Sequence, residues 1–236
     1  MEESGFYNIL KPPGMTSHDV VAYLRRRLAV KKMGHGGTLD PLACGVLVCL
    51  ANGATRLSSN FSALDKTYIA HAVFGFSTDS GDLDGVVTKR KAGAPSREAV
   101  EAVLPRFTGS ISQLPPMVSA VKVGGERLYK AARQGIEVER KPRTVTVKRL
   151  ELKWFSTGEC ARAVFSVECS GGTYIRTLVE DIGAAAGFPA VTAFLVRTAV
   201  GPFRIADSLR PEETANAGNP ASLLLPPEII KEEYRT

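Results

Sequence analysis

Apolar residues recur at helical spacing at Val20, Val21, Leu24 and Leu28, while Arg25, Arg26 and Arg27 stand largely off that stripe. The spacing predicts an amphipathic helix with a basic face. It is entered through the turn Lys11-Pro12-Pro13-Gly14, with Thr16 and Ser17 as N-cap candidates. Gly45 to Leu50 is a short apolar run that suits a buried strand, and Leu57, Phe61 and Leu64 fit one face of a helix. Lys66 to Phe76 alternates, which places Tyr68, Ala70, Ala72, Phe74 and Phe76 on one side of a strand. Ser77 to Gly85 reads as an acidic loop, and Ser96 to Phe107 as a helix capped by Ser96. Gln113-Leu114-Pro115-Pro116 breaks regular structure. A short helix is predicted over Arg127 to Gln134, and strands over Arg143 to Leu152, Ala161 to Cys169 and Phe194 to Val200. After Gly171-Gly172 a helix buries Ile175, Leu178, Val179 and Ile182 and ends near Gly187. Strands and helices alternate irregularly, and several strands read as hairpin partners. The expected fold is therefore α+β, a central mixed, mostly antiparallel sheet flanked by helices. One domain over residues 1–210 is expected, followed by a tail over 211–236 that reads as a linker or frayed end.

Charge adds a partner class to this picture. Thirty Lys and Arg face 24 Asp and Glu, a net charge of +6. The basic residues cluster at Arg25 to Arg27, Lys31-Lys32, Lys89-Arg90-Lys91 and Arg140-Lys141-Pro142-Arg143. Such clusters either contact phosphates or form solvated faces. No run of about 18 apolar residues exists, so no membrane-crossing helix is expected. The opening Met1-Glu2-Glu3-Ser4 has no signal-peptide pattern, which makes the cytoplasm the expected location. Cys44, Cys49, Cys160 and Cys169 form no C-x-x-C pair and only three histidines accompany them, so no metal site is expected. The cysteines read as small buried hydrophobes of a reducing compartment. Ser80 to Gly85 resembles a calcium loop only until Lys91, which stands where such a loop needs a bidentate Glu. The Gly34 loop lacks the Gly-Lys-Ser/Thr of a phosphate loop, and no cofactor is signalled.

A carboxylate, a phenol and a guanidinium remain in unusual settings. Asp40 follows a glycine-rich loop and precedes Pro41; on local sequence it reads as an ordinary turn Asp. Tyr68 on a strand reads as a core residue, and Arg176 at a helix start as a surface Arg.

The order of motifs changes that reading. Gly34-His35-Gly36-Gly37-Thr38-Leu39-Asp40-Pro41-Leu42-Ala43-Cys44-Gly45-Val46-Leu47 resembles the catalytic loop of TruB-type pseudouridine synthases of the bacterial group. The resemblance includes Lys11 to Ser17, Asp65 to Tyr68, Gly75 to Asp82, Gln113 to Pro116, Leu128 to Gly135 and Gly171 to Arg176. It covers about residues 8 to 205, in the family's order. Gly36 and Cys44 depart from it where Ser or Thr is usual, and Val118 where Tyr is common.

The resemblance implies isomerisation of uridine to pseudouridine in the T-loop of tRNA, at position 55, with the base flipped out of its stack. It makes Asp40, Tyr68 and Arg176 the catalytic residues. Asp40 attacks the nucleoside or takes a ribose proton. Tyr68 stacks on the uracil, and Arg176 pairs with Asp40 and keeps it ionised. The residues expected to bind RNA are His35, filling the space that the flipped base vacates, Tyr174 and Lys66, the last with an alternative role in supporting Tyr68. No cofactor and no metal is implied; the expected partner is the tRNA T-arm, and the expected state a monomer. The chain is shorter than a member carrying a complete C-terminal PUA domain. Three rivals stay open at this point: a related synthase working in a guide-RNA complex or on a different RNA, a non-catalytic RNA chaperone or binding module, and an Asp-dependent hydrolase.

Overall fold

A strand can be apolar at every position only if both of its faces are covered, and the run from Val46 to Ala51 meets that condition. Val46, Val48 and Leu50 pack with Phe6, Phe61, Leu64, Val200 and Phe203. Leu47, Cys49 and Ala51 pack with Tyr7, Ile9, Val20, Val21 and Leu24. The computed structural model describes residues 3–116, 122–123, 126–127 and 140–230. In chain order its elements are β1 (Gly5–Lys11), α1 (Ser17–Arg27), β2 (Met33–His35), β3 (Cys44–Ala51) and a 3-10 segment leading into α2 (Asn60–Ala63). β4 (Lys66–Phe74), β5 (Phe76–Thr78), β6 (Val87–Arg90), α3 (Arg97–Val103) and β7 (Gly109–Gln113) follow. Then come β8 (Lys122–Val123), β9 (Glu126–Arg127), β10 (Arg143–Ser156) and β11 (Arg162–Cys169). The remainder are α4 (Ile175–Ala185), β12 (Ala190–Val200), β13 (Phe203–Arg204) and α5 (Pro211–Ala215). The chain forms two compact units, Met1–Tyr68 with Val196–Thr236, and Ile69–Leu195, the division falling inside β4 and β12.

In the first unit β3 pairs antiparallel with β1 over its whole length, from Gly5↔Ala51 to Lys11↔Gly45. β2 pairs antiparallel with the end of β3, and β12 pairs parallel with its start at Val196↔Cys44 and Arg197↔Gly45. The sheet is thus mixed, and the α+β expectation holds. Helix α1 starts at a capping box: Thr16 Oγ1 accepts from the Asp19 amide, and the Asp19 carboxylate accepts from the Thr16 amide. Its stripe of Val20, Val21 and Leu24 is buried, and Arg25 to Arg27 are exposed.

As far as Ile230, where the described residues end, the segment after Arg210 is folded rather than frayed. Leu209 exchanges hydrogen bonds with Asn8 and Leu10 of β1, Leu225 exchanges two with Phe6, and Ile230 is buried. This segment consists of short turns with leucines at irregular spacing, which leaves no periodicity to read.

In the second unit the strand order is β12-β4-β11-β10-β7, with β10 antiparallel to both β11 and β7. The buried face of β4 carries Ala70, Ala72 and Phe74. Gly75, at φ +113°, ends that face, so Phe76 leaves it to begin β5. α4 buries Ile175, Leu178, Val179 and Ile182 as the spacing requires. The helix expected over Arg127 to Gln134 lies outside the described residues except for Arg127, which ends β9. Cys49 and Cys169 are buried, but Cys44 is half-buried and Cys160 exposed, which corrects the reading of all four as core residues. Among the described residues no helix is long and apolar enough to cross a membrane.

Candidate active site

The loop joining β2 to β3 carries Asp40, half-buried, between two stretches of tethered backbone. Before it, the buried Ser17 hydroxyl accepts from the Leu39 amide (2.8 Å) and donates to the Leu39 carbonyl (3.0 Å). After it, the Pro41 carbonyl accepts from the Gly14 amide (2.9 Å) and from Lys11 Nζ (3.2 Å). Lys11 Nζ also donates to the Pro12 carbonyl at 2.8 Å. Pro12 and Gly14 belong to the opening turn Lys11 to Gly14, so this motif serves as a bracket for the Asp40 loop.

Arg197 was not singled out in the sequence. It is 3% exposed, and its guanidinium donates to the carbonyls of Val46 (2.8 Å), Thr38 (3.2 Å) and Gly37 (3.1 Å). A charge within the apolar run Phe194 to Val200 was the available signal, because a buried cation must find partners. Burial lowers the pKa of Lys11 to about 8; Cys44 and Asp40 oppose that shift and the Arg197 charge adds to it.

His35 ends β2, and its Nδ1 accepts from the Gly37 amide at 3.4 Å. The departure at Gly36 has a packing cause: a Cβ there would lie 2.5 Å from the Phe61 ring. Tyr68 stands on the buried face of β4, 8% exposed. Lys66 shares that face, and its ammonium donates to the carbonyls of Phe61 and Leu64. Lys66, expected to bind RNA or to support Tyr68, points inward at 6% exposure and closes the turn that leads into β4.

Tyr174 and Arg176 lie in the second unit, at the start of α4. Tyr174 caps that helix without a side-chain cap of its own. The amide of Gln113, the last residue of β7, brackets it: Nε2 donates to the Tyr174 carbonyl (3.2 Å), and Oε1 accepts from the Tyr174 amide (2.9 Å). Gln113 is buried, so the motif Gln113 to Pro116 does more than end a strand. Arg176 is 6% exposed, donates to the Ser80 carbonyl and pairs with Asp82 at 3.5 Å. Asp82 in turn accepts from the Ser80 hydroxyl (2.6 Å) and the Asp84 amide (3.2 Å). One helical turn beyond Arg176, burial pushes Glu180 up to about 7; Asp181 and Asp82 add to that rise, while Arg176 and Lys89 oppose it.

Residues 25–175 match the family model described as TruB family pseudouridylate synthase, N-terminal domain. The chain is 51% identical over 227 residues to a tRNA pseudouridine synthase B of Symbiobacterium thermophilum, covering 96% of this chain and 75% of that one. It is 50% identical to the protein of the same name from Moorella thermoacetica, over 94% of this chain and 74% of the relative. The crystal structure of a Cbf5-Nop10-Gar1 complex holds a chain of similar fold, with a TM-score of 0.71 at 30% identity. That likeness covers 95% of this chain but 60% of the other. By sequence over nearly its whole length, and by fold, the chain belongs to the TruB family of pseudouridylate synthases.

Proposed function

We propose that the chain isomerises uridine to pseudouridine at position 55, in the T-loop of tRNA, with Asp40 as its catalytic carboxylate. The substrate class rests on the relatives that share about half of its residues. The observation that supports Asp40 most directly is the tethering of its loop. The backbone is bonded at Gly37, Thr38 and Leu39 before the carboxylate and at Pro41 and Val46 after it. A carboxylate that must meet one atom of a nucleoside needs this kind of preorganisation.

The reaction cleaves the bond from N1 of uracil to C1′ of ribose, turns the base and joins C5 to C1′. The C5 proton is then lost and N1 gains one, so the change is redox-neutral and requires no cofactor. Asp40 serves it by attacking the nucleoside or by taking a ribose proton. Flipping the uridine costs a few kcal/mol, which His35 offsets by filling the vacated space. Tyr68 stacks on the uracil, and the resemblance assigns to Arg176 the cation that orients Asp40. The substrate element recognised is the T-arm, and the enzyme acts as a cytoplasmic monomer.

The test is tritium release from tRNA labelled at C5 of uridine. Release near one equivalent per tRNA is expected. It should vanish in Asp40→Asn, with tRNA affinity kept within about threefold, and when the T-loop uridine is replaced by cytidine. Sustained release by the Asn variant, or none from the unaltered protein, would overturn the reading.

A further inference from the structure

We propose that Arg197 is a positioning residue for Asp40, a fork that ties together the two ends of the loop carrying that carboxylate. The inference rests on Asp40 being the catalytic carboxylate, and it concerns how that group is held in place.

Arg197 lies on β12, in an apolar run, and is 3% exposed. A guanidinium there carries a desolvation cost of several kcal/mol unless its N–H groups are satisfied. Among the described residues no carboxylate forms an ion pair with it. Its hydrogen bonds all end on backbone carbonyls, two preceding Asp40 (Gly37 and Thr38) and one following it (Val46). A flat guanidinium with donors pointing in several directions can hold three separate carbonyls at once. A lysine ammonium, a point charge on a flexible stem, cannot reproduce that spacing.

The neighbouring backbone is shaped to let β12 approach this closely. Arg197 pairs with Gly45 where β12 runs parallel to β3. Gly45 has φ +108°, and a Cβ on it would lie 2.2 Å from the Arg197 carbonyl oxygen. A side chain at position 45 would therefore push β12 away and withdraw the fork from the loop. A residue needed only to fill this part of the core would be apolar. A residue needed only for charge would have a counter-ion. Arg197 has neither character, and its contacts fall on the start of the loop that carries the candidate carboxylate and on the strand into which that loop runs.

The experiment measures single-turnover pseudouridine formation, tRNA affinity and thermal stability for Arg197→Lys, Arg197→Met and Asp40→Asn. Loss of the fork should slow the chemical step about 100-fold in the Met variant and about 10-fold in the Lys variant, since a misplacement of about 1 Å costs that order. Affinity for tRNA should stay within about threefold in both. If the Met variant does not fold, the Lys variant decides. A folded Lys variant within about twofold of the normal rate would overturn the proposal, as would a defect confined to tRNA affinity. An unfolded Lys variant would overturn it as well, because the residue would then serve folding rather than placement. Turnover by Asp40→Asn would sink the reading of Asp40 itself. An inactive Asn variant beside fully active Arg197 variants would sink only the role of Arg197.

Discussion

Asp40 and Arg176 are both braced by residues distant in sequence, but the braces differ in kind. Around Asp40 the described contacts of Ser17, Lys11 and Arg197 all end on main-chain groups, in the loop itself, in the opening turn or at the start of β3. Cations are present there, yet what they hold is backbone. Around Arg176 one brace is a neutral amide, Gln113 on Tyr174, and the other is a carboxylate, Asp82, with Glu180 titrating nearby. The first unit therefore fixes a backbone path, whereas the second balances charge on a side chain. A geometric brace should respond mainly to shape, with Lys11, whose pKa is about 8, as the group in it that pH reaches, and a charge-balanced one should respond to both.

Four substitutions break or sharpen this contrast, in falling order of effect. Arg176→Met leaves Asp82, at 13% side-chain exposure, without its cation. The expected cost is about 3 kcal/mol of stability, the scale for breaking a buried pair, with turnover lower by about 100-fold. Denaturant titration and single-turnover assays read the two effects. Gln113→Ala leaves the Tyr174 amide without its acceptor, while the Tyr174 carbonyl keeps the Leu178 amide; the expected cost is about 2 kcal/mol. Turnover should fall about 10-fold, and equal losses of stability in Gln113→Ala and Gln113→Glu would point to packing instead. Ser17→Ala removes both contacts to Leu39 and should cost about 1 kcal/mol, leaving the pH dependence of stability unchanged. Glu180→Gln should act on that pH dependence alone. The folded pKa near 7 lies above the ordinary 4.5, so the native state keeps a proton that the unfolded chain releases. Stability conferred by this group is complete below about pH 4.5 and is lost as pH rises through about 7. The Gln variant should flatten that fall when denaturation midpoints are compared at about pH 5 and pH 8.

How much of this was legible in the sequence depended on exposure. Helices α1 and α4 were readable because each has one wet face and one dry face, so periodicity survives in the residues. β3 was readable as an unbroken apolar run. β1 gave no such signal: six of the seven residues of Gly5–Lys11 are buried, two of them Asn8 and Lys11, so neither alternation nor a clean apolar run appears. β7 was hidden for the opposite reason, being mostly exposed and polar. Asp40, Tyr68 and Arg176 were singled out as candidates through ordered motifs, while the groups that brace Asp40 and Arg176 were not. Gln113 looked like punctuation before two prolines, and Arg197 like an exception in a strand. Lys66 carried two readings, RNA contact or support for Tyr68, and neither foretold that its ammonium would end on the carbonyls of Phe61 and Leu64. Each of these side chains makes hydrogen bonds to backbone distant in the fold, and local sequence does not show where that backbone will be.

The bonds of Arg197 also impose an order in time. They join residues 151 to 160 positions apart, and β12 meets β3 only after the whole stretch 69–195 has been made. During synthesis the Asp40 loop leaves the ribosome early and remains unbuckled until Arg197 follows it. Contacts of such long sequence separation form slowly and late. The second unit, continuous in sequence, can fold first, as contiguous units generally do. A nascent chain therefore displays Asp40 well before its loop can be buckled, and the fixing of that loop arrives as one of the last events of folding.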